Sequence, residues 1–267
     1  MKNRLKYLMI MFGSVLLAFP LLLNAQSRDE FKKESFISGG DTLNYRILYP
    51  KDFLEDEEYP VMLFLHGAGE RGDDNESQLV HGSDLFLNED NRENFPAIVI
   101  FPQAPKEDYW AKVEVKRDTT PFQFDFKNRQ EPTKSLDLVM KLMDSVIAKD
   151  FVRKEQIYVG GLSMGGMGTY EIIFKKPEIF AAAFAICGGA NEDIAEAYPK
   201  GFNIWIFHGE KDDIVPPRFS KAMARSINHY GGNAKLSLYP DDNHNSWDSA
   251  FSEPYLLPWL FSHKKAD

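Results

Sequence analysis

The chain has 267 residues, 43% of them apolar and 27% charged, a composition that suits one globular domain. Its formal net charge is −9, with no arginine-rich stretch or basic patch, which argues against a nucleic-acid partner. The single cysteine, Cys187, excludes an intramolecular disulfide. No Cys/His cluster has metal-ligand spacing, so no metal or other cofactor is expected.

At the start of the chain Lys2, Arg4 and Lys6 precede an apolar run over residues 7–23, and Asn24-Ala25 follows. This reads as a secretory signal over 1–25, cleaved after Ala25, with an uncleaved membrane anchor as the alternative because the apolar run is long. The mature chain, 26–267, is then periplasmic or secreted, without stable membrane association. Residues 34–37 and 43–49 alternate around Gly39-Gly40-Asp41 and predict a hairpin. The run VMLFL, 61–65, predicts a strand covered on both faces, ending in HGAGERG. A short helix is expected near 78–87, then a strand over 97–101 that ends at PQAP.

Residues 110–133 are the least regular. Alternation over 112–116 and 122–126 predicts a β-like excursion or a lid. Leu136, Val139, Met140, Met143, Val146 and Ile147 recur at helical spacing and predict an amphipathic helix over 132–149, with Pro132 in its first turn. A short strand over 157–159 leads into a helix over 164–176. Strands over 180–186, 203–207 and 234–239 follow, with helices over 216–230 and 254–262. This alternation predicts an α/β fold: a mainly parallel sheet with helices on both faces, preceded by an antiparallel hairpin. Working residues gather at the carboxyl ends of strands in such sheets. His66, Gln103, Ser163, Gly188, His208 and His244 fall there.

The stretch QIYVGGLSMGGMG, 156–168, organises the rest. Gly161-Leu162-Ser163-Met164-Gly165 has the G-x-S-x-G pattern of the α/β-hydrolase nucleophile elbow, with a strand before it and a helix after it. Glycines two residues before and after the serine admit a sharp turn, and the helix N-terminus favours an oxyanion. A serine hydroxyl needs a base, and the base needs a carboxylate that fixes its tautomer. These follow in the order Ser, Asp/Glu, His in this fold. Of the histidines after Ser163, His208 precedes any suitable carboxylate, His229 sits beside a glycine cap and His263 is in the lysine-rich tail. That leaves His244, just after the last strand. The acid comes from the loop after His208, and spacing alone does not choose between Asp212 and Asp213. Met164 N–H and Ala68 N–H are the expected oxyanion donors, with Gly69 as an alternative to Ala68. His66 is expected to hold that loop by hydrogen bonds.

The blocks FLHGAGERG, PQAP followed by YW, GLSMGGMGTYE, HGEKDDIVP and HNSWD resemble those of the secreted α/β-hydrolase serine esterases. That group takes in feruloyl and acetyl-xylan esterases, phospholipase/carboxylesterases, predicted peptidases and dienelactone-hydrolase relatives. The resemblance covers most of residues 61–247 and implies Asp212 as the triad acid. Residues 112–134 match none of its blocks. Trp110 and Trp247 flank the expected mouth and are candidates to stack on a sugar or aromatic acyl group, or to pack in the core or rim. Glu70 and Arg71 are candidates to contact a polar substrate, or to pair with each other.

Three readings follow. The first is a serine ester hydrolase acting on carbohydrate-linked or small acyl esters. The second is a serine peptidase of the prolyl-oligopeptidase-like type, against which the lack of a large N-terminal propeller-like domain weighs. The third is a non-catalytic binding protein on a hydrolase scaffold, whose mark would be a broken triad or elbow; neither is broken.

Overall fold

The computed structural model describes residues 27–265, so the expected signal over 1–25 lies outside the described residues. The chain opens on an antiparallel hairpin, β1 (Lys32–Ser38) and β2 (Asp41–Leu48). Gly39 and Gly40 form its two-residue turn with φ of 62° and 88°, the left-handed values that a tight hairpin turn demands. β3 (Tyr59–Leu65) follows. The short helix expected near 78–87 is a 3-10 turn over Ser77–Leu79 followed by α1 (Ser83–Leu87), and a second short helix, α2 (Glu89–Asn94), lies beyond it. The next strand is β4 (Ile98–Pro102).

The irregular stretch is a separate two-stranded antiparallel hairpin, β5 (Val113–Lys116) and β6 (Gln123–Phe126). Helix α3 (Lys134–Ile147) starts later than expected. Thr133 is its cap, Thr133 Oγ1 accepting from Leu136 N–H at 3.2 Å, and Pro132 stands outside the first turn. Strand β7 (Val152–Leu162), longer than expected, runs into α4 (Met164–Lys175). The remainder is β8 (Ala182–Ile186), β9 (Asn203–Gly209), α5 (Arg218–His229), β10 (Asn233–Tyr239), α6 (Trp247–Phe251) and α7 (Leu256–Phe261).

Eight strands form one sheet in the order β1-β2-β4-β3-β7-β8-β9-β10. The hairpin and its pairing with β4 are antiparallel, and every pair from β4 to β10 is parallel. Period-two alternation splits each central strand between two cores. Val61, Leu63 and Leu65 of β3 face one core, with Leu136, Val139 and Met143 of α3. Met62 and Phe64 face the other, with Leu256, Leu257 and Leu260 of α7. Each fully buried aliphatic side chain contributes about 1.5–3 kcal/mol. Burial on both faces is why these strands read as unbroken apolar runs. No helix of the described residues is long and apolar enough to cross a membrane.

The sheet order also fixes where chemistry can gather. From β3 the chain moves to β4 on one side, while β7 pairs with β3 on the other. The loops leaving β3 and β7 therefore part at the carboxyl edge and open a crevice between them.

Candidate active site

Ser163 stands between β7 and α4 at φ 53° and ψ −115°. A non-glycine residue there is strained by about 1–3 kcal/mol, so its surroundings must hold it. Ser163 N–H donates to Ile186 O at 2.8 Å, and Met167 N–H to Ser163 O at 3.0 Å. The glycine requirement is steric. A Cβ on Gly165 would lie 1.8 Å from Leu65 O, and one on Gly161 would lie 2.5 Å from Gly165 C.

Ser163 Oγ is 2.9 Å from His244 Nε2, across 81 residues of sequence. His244 Nδ1 is 2.8 Å from Asp212 Oδ2. The carboxylate only accepts, so Nδ1 carries the proton and Nε2 faces the serine as an acceptor. Asp212 is buried, and its Oδ1 accepts the N–H groups of Ile214 and Val215, each at 2.9 Å. Burial alone would raise its carboxyl. Hydrogen bonds from His208, His244 and Val215 N–H, with the attraction of His244, outweigh burial and hold it down at about 2. Asp213, the alternative that spacing left open, is exposed.

The loop after β3 is fixed by His66. Ala104 N–H donates to His66 Nε2 at 3.1 Å, so Nδ1 carries the proton and donates to Gly67 O at 2.6 Å. A planar trans peptide turns Ala68 N–H opposite to that carbonyl, away from the imidazole. Ala68 N–H and Met164 N–H donate to no acceptor among the described residues. His66 is fully buried, and burial pushes its imidazole down to about 4 despite the bond to Gly67, which keeps it neutral at pH 7.

A cavity of about 280 Å³ opens over Ser163, His244 and Ala68. Leu162, Met167, Ile214 and Val215 form its apolar floor and wall. Phe122, Phe124 and Arg117 close another side; they belong to the β5–β6 hairpin, the β-like excursion that the alternation over 112–116 and 122–126 predicts. The hairpin is anchored by Glu171 on α4, whose Oε2 accepts Lys112 N–H at 2.9 Å and Asn128 Nδ2 at 2.5 Å.

The other expected contacts divide. Trp247 lines the cavity, with its ring edge-on to His244 at 5.6 Å between centroids. Glu70 lines it too, 3.8 Å from His81 Nε2, and burial raises its carboxyl. Trp110, expected near the mouth, is instead fully buried, its indole N–H donating to His66 O at 3.1 Å, so no substrate ring can stack on it. Arg71 neither pairs with Glu70 nor lines the cavity; it donates to the carbonyls of Ala68, Lys106 and Asp108 and lies over the Tyr109 ring. Cys187 is buried as expected, with φ 42° and its sulfur close to Asp212 and His244. These three are the one such group of potential ligands among the described residues. An ion there would have to displace the Asp212–His244 hydrogen bond, so the arrangement fits proton transfer better than metal binding.

Residues 54–253 match the model of the phospholipase/carboxylesterase family, and the chain belongs to that family. Lysophospholipase-like protein 1 of Mus musculus is 25% identical over 197 residues, covering 68% of this chain and 79% of that protein. A stretch of 83 residues, 31% of this chain and 12% of the relative, is 31% identical to the bifunctional acetylxylan esterase/xylanase XynS20E of Neocallimastix patriciarum. Among solved structures, a thermostable esterase superposes with a TM-score of 0.79 at 32% identity over 89% of this chain. The chain spans 64% of that esterase's length. The fold is thus that of the α/β-hydrolases, of the esterase type.

Proposed function

We propose that this member of the phospholipase/carboxylesterase family is a serine carboxylic-ester hydrolase with Ser163 as nucleophile, His244 as base and Asp212 as its orienting acid. The observation that carries the reading is the continuous row Ser163 Oγ, His244 Nε2, His244 Nδ1 and Asp212 Oδ2, with bonded steps of 2.9 and 2.8 Å.

In this mechanism Ser163 Oγ attacks the ester carbonyl carbon as its proton passes to His244 Nε2. The carbonyl oxygen becomes an oxyanion that accepts Ala68 N–H and Met164 N–H, both free to donate. As the tetrahedral intermediate collapses, the ester C–O bond breaks and His244 gives its proton to the leaving alkoxide, releasing the alcohol. Water then attacks the acyl-enzyme, with His244 taking a water proton and returning it to Ser163 Oγ, and the acid leaves. Asp212 stabilises the imidazolium at both steps while remaining a carboxylate.

The substrates we propose are carbohydrate-linked or small acyl esters. The apolar wall of the cavity and the Trp247 ring at its edge support an acyl group or sugar of modest size. The domain that carries the reaction is 26–267. Export follows from the basic start and apolar run that end at Ala25, and N-terminal sequencing of the secreted or periplasmic protein tests it.

The decisive assay compares wild type with Ser163→Ala on p-nitrophenyl acetate, a feruloyl ester, a longer acyl ester and a matched peptide amide. The variant should lose several orders of magnitude in kcat/KM on the ester that wild type prefers. Retention of the wild-type rate rejects the reading, and an amide preferred over its matched ester moves the assignment to a peptidase.

A further inference from the structure

One imidazole beside Asp212 is left without a role by this mechanism. His208, on the carboxyl-terminal end of β9, is fully buried. Its Nε2 is 3.0 Å from Asp212 Oδ2 and 2.8 Å from Val215 O, and its Nδ1 is 2.7 Å from Ser220 Oγ. A carboxylate and a carbonyl both accept only, so Nε2 carries the proton and donates to the pair. Nδ1 is then the acceptor for the Ser220 hydroxyl. The oxygen that receives His208 is the one that receives His244 Nδ1–H. Two imidazoles therefore flank a single carboxylate oxygen, one at the serine and one sealed in the protein.

We propose that His208 is a positioning residue that acts on the reaction through Asp212, a role that rests on the serine-hydrolase reading above. Two physical effects follow from the geometry. Asp212 Oδ1 is pinned by two backbone N–H groups, whereas Oδ2 would otherwise be held only by His244, the ring that must shuttle protons. The His208 N–H fixes the carboxylate plane from the side that does not move. It also draws charge from Oδ2, which tempers the pull of Asp212 on the His244 proton. Without it, the imidazolium formed in the reaction is held more tightly and gives up its proton less readily.

The neighbours leave His208 little other work. Cys187 at the end of β8 and Tyr170 on α4 are the other titratable groups near this cluster, and burial raises both, so they stay neutral. His244 reaches Asp212 from the loop after β10. Among the described residues Asp212 is the only charged group within hydrogen-bond range of His208.

The test uses two amides that divide the two ends of the ring. In His208→Gln the side-chain nitrogen reaches the position of Nε2, which keeps a donor for Asp212 and loses the partner of Ser220. In His208→Asn the amide stops near the position of Nδ1, which keeps Ser220 and loses Asp212. The full-length proteins are assayed on p-nitrophenyl acetate beside Ser163→Ala, with melting curves to show that each variant is folded. His208→Asn should lower kcat by about 10- to 100-fold with KM little changed, the scale of a catalytic group left out of alignment, here a carboxylate plane no longer fixed on its immobile side and an imidazolium slower to release its proton. The acidic limb of its pH–rate profile should move to higher pH. His208→Gln should stay within about threefold of wild type, with the limb unmoved.

Equal losses in the two variants, or a wild-type kcat in His208→Asn, overturn the proposal while an inactive Ser163→Ala leaves the hydrolase reading standing. An active Ser163→Ala removes both. If His208→Asn does not melt cooperatively, His208→Phe replaces it with the same expected loss, and a wild-type kcat there overturns the proposal equally.

Discussion

Replacing Asp212 with asparagine should disable the Ser163–His244 pair while leaving its loop folded. Asp212 accepts four N–H groups: Ile214 and Val215 on Oδ1, His208 and His244 on Oδ2. The two backbone donors cannot change, so an asparagine must give them its carbonyl oxygen. Its NH2 group then faces the two imidazoles, where only donors stood before. His244 can answer this only by moving its proton from Nδ1 to Nε2. That places an N–H against Ser163 Oγ, 2.9 Å away, and removes the acceptor the serine proton needs. By this argument kcat/KM falls about 10⁴-fold, or about 5.5 kcal/mol in the barrier, the scale of a triad locked in the wrong tautomer. The assay is p-nitrophenyl acetate hydrolysis at pH 7.5 with Asp213→Asn as control. The control should match wild type, because Asp213 is exposed. A loss below tenfold in Asp212→Asn, or a large loss in the control, would refute the tautomer argument.

Four further outcomes are expected. His66 is neutral in the fold at about 4 and titrates near 6.5 when unfolded, so its contribution is whole above pH 6.5 and lost as pH falls toward 4. The loss amounts to about 3 kcal/mol, and melting curves across that window should flatten in His66→Gln. Asp212 works lower: its depressed carboxyl stabilises the fold above about 3.8 and ceases to as pH falls through about 2, outside the His66 window. Gly165→Ala should abolish folding or lower the melting temperature steeply, since its Cβ would meet Leu65 O at 1.8 Å; a shift under 2 °C would show that the elbow relaxes. Phe124→Ala should enlarge the cavity and raise the preference for longer acyl esters over acetyl by about 10-fold, a change of about 1–2 kcal/mol as expected for one or two added methylenes. An unaltered chain-length ratio would detach the β5–β6 hairpin from specificity.

The sequence alone determined the elements that local chemistry dictates. VMLFL and NIWIF announced strands buried on both faces, and Gly39-Gly40 announced a turn that only left-handed backbone can make. The glycines around Ser163 announced the elbow, because close approach of backbone to backbone leaves no choice of residue. The order of Ser163, an acidic loop and His244 followed from how strands must succeed one another. The tertiary structure decided what depends on which side of a loop faces inward. Asp212 and Asp213 are adjacent and chemically alike, and only the fold of the loop after β9 buries one and exposes the other. Trp110 had a place in the sequence near the mouth but is sealed beneath the loop by a bond to His66 O. His208 was set aside by chain order, yet it reaches Asp212 from within the protein. The physical reason is range. Turn strain and apolar periodicity act over a few residues and leave a written pattern, whereas the partners of a buried donor are chosen by sheet order, which brings together groups 81 residues apart.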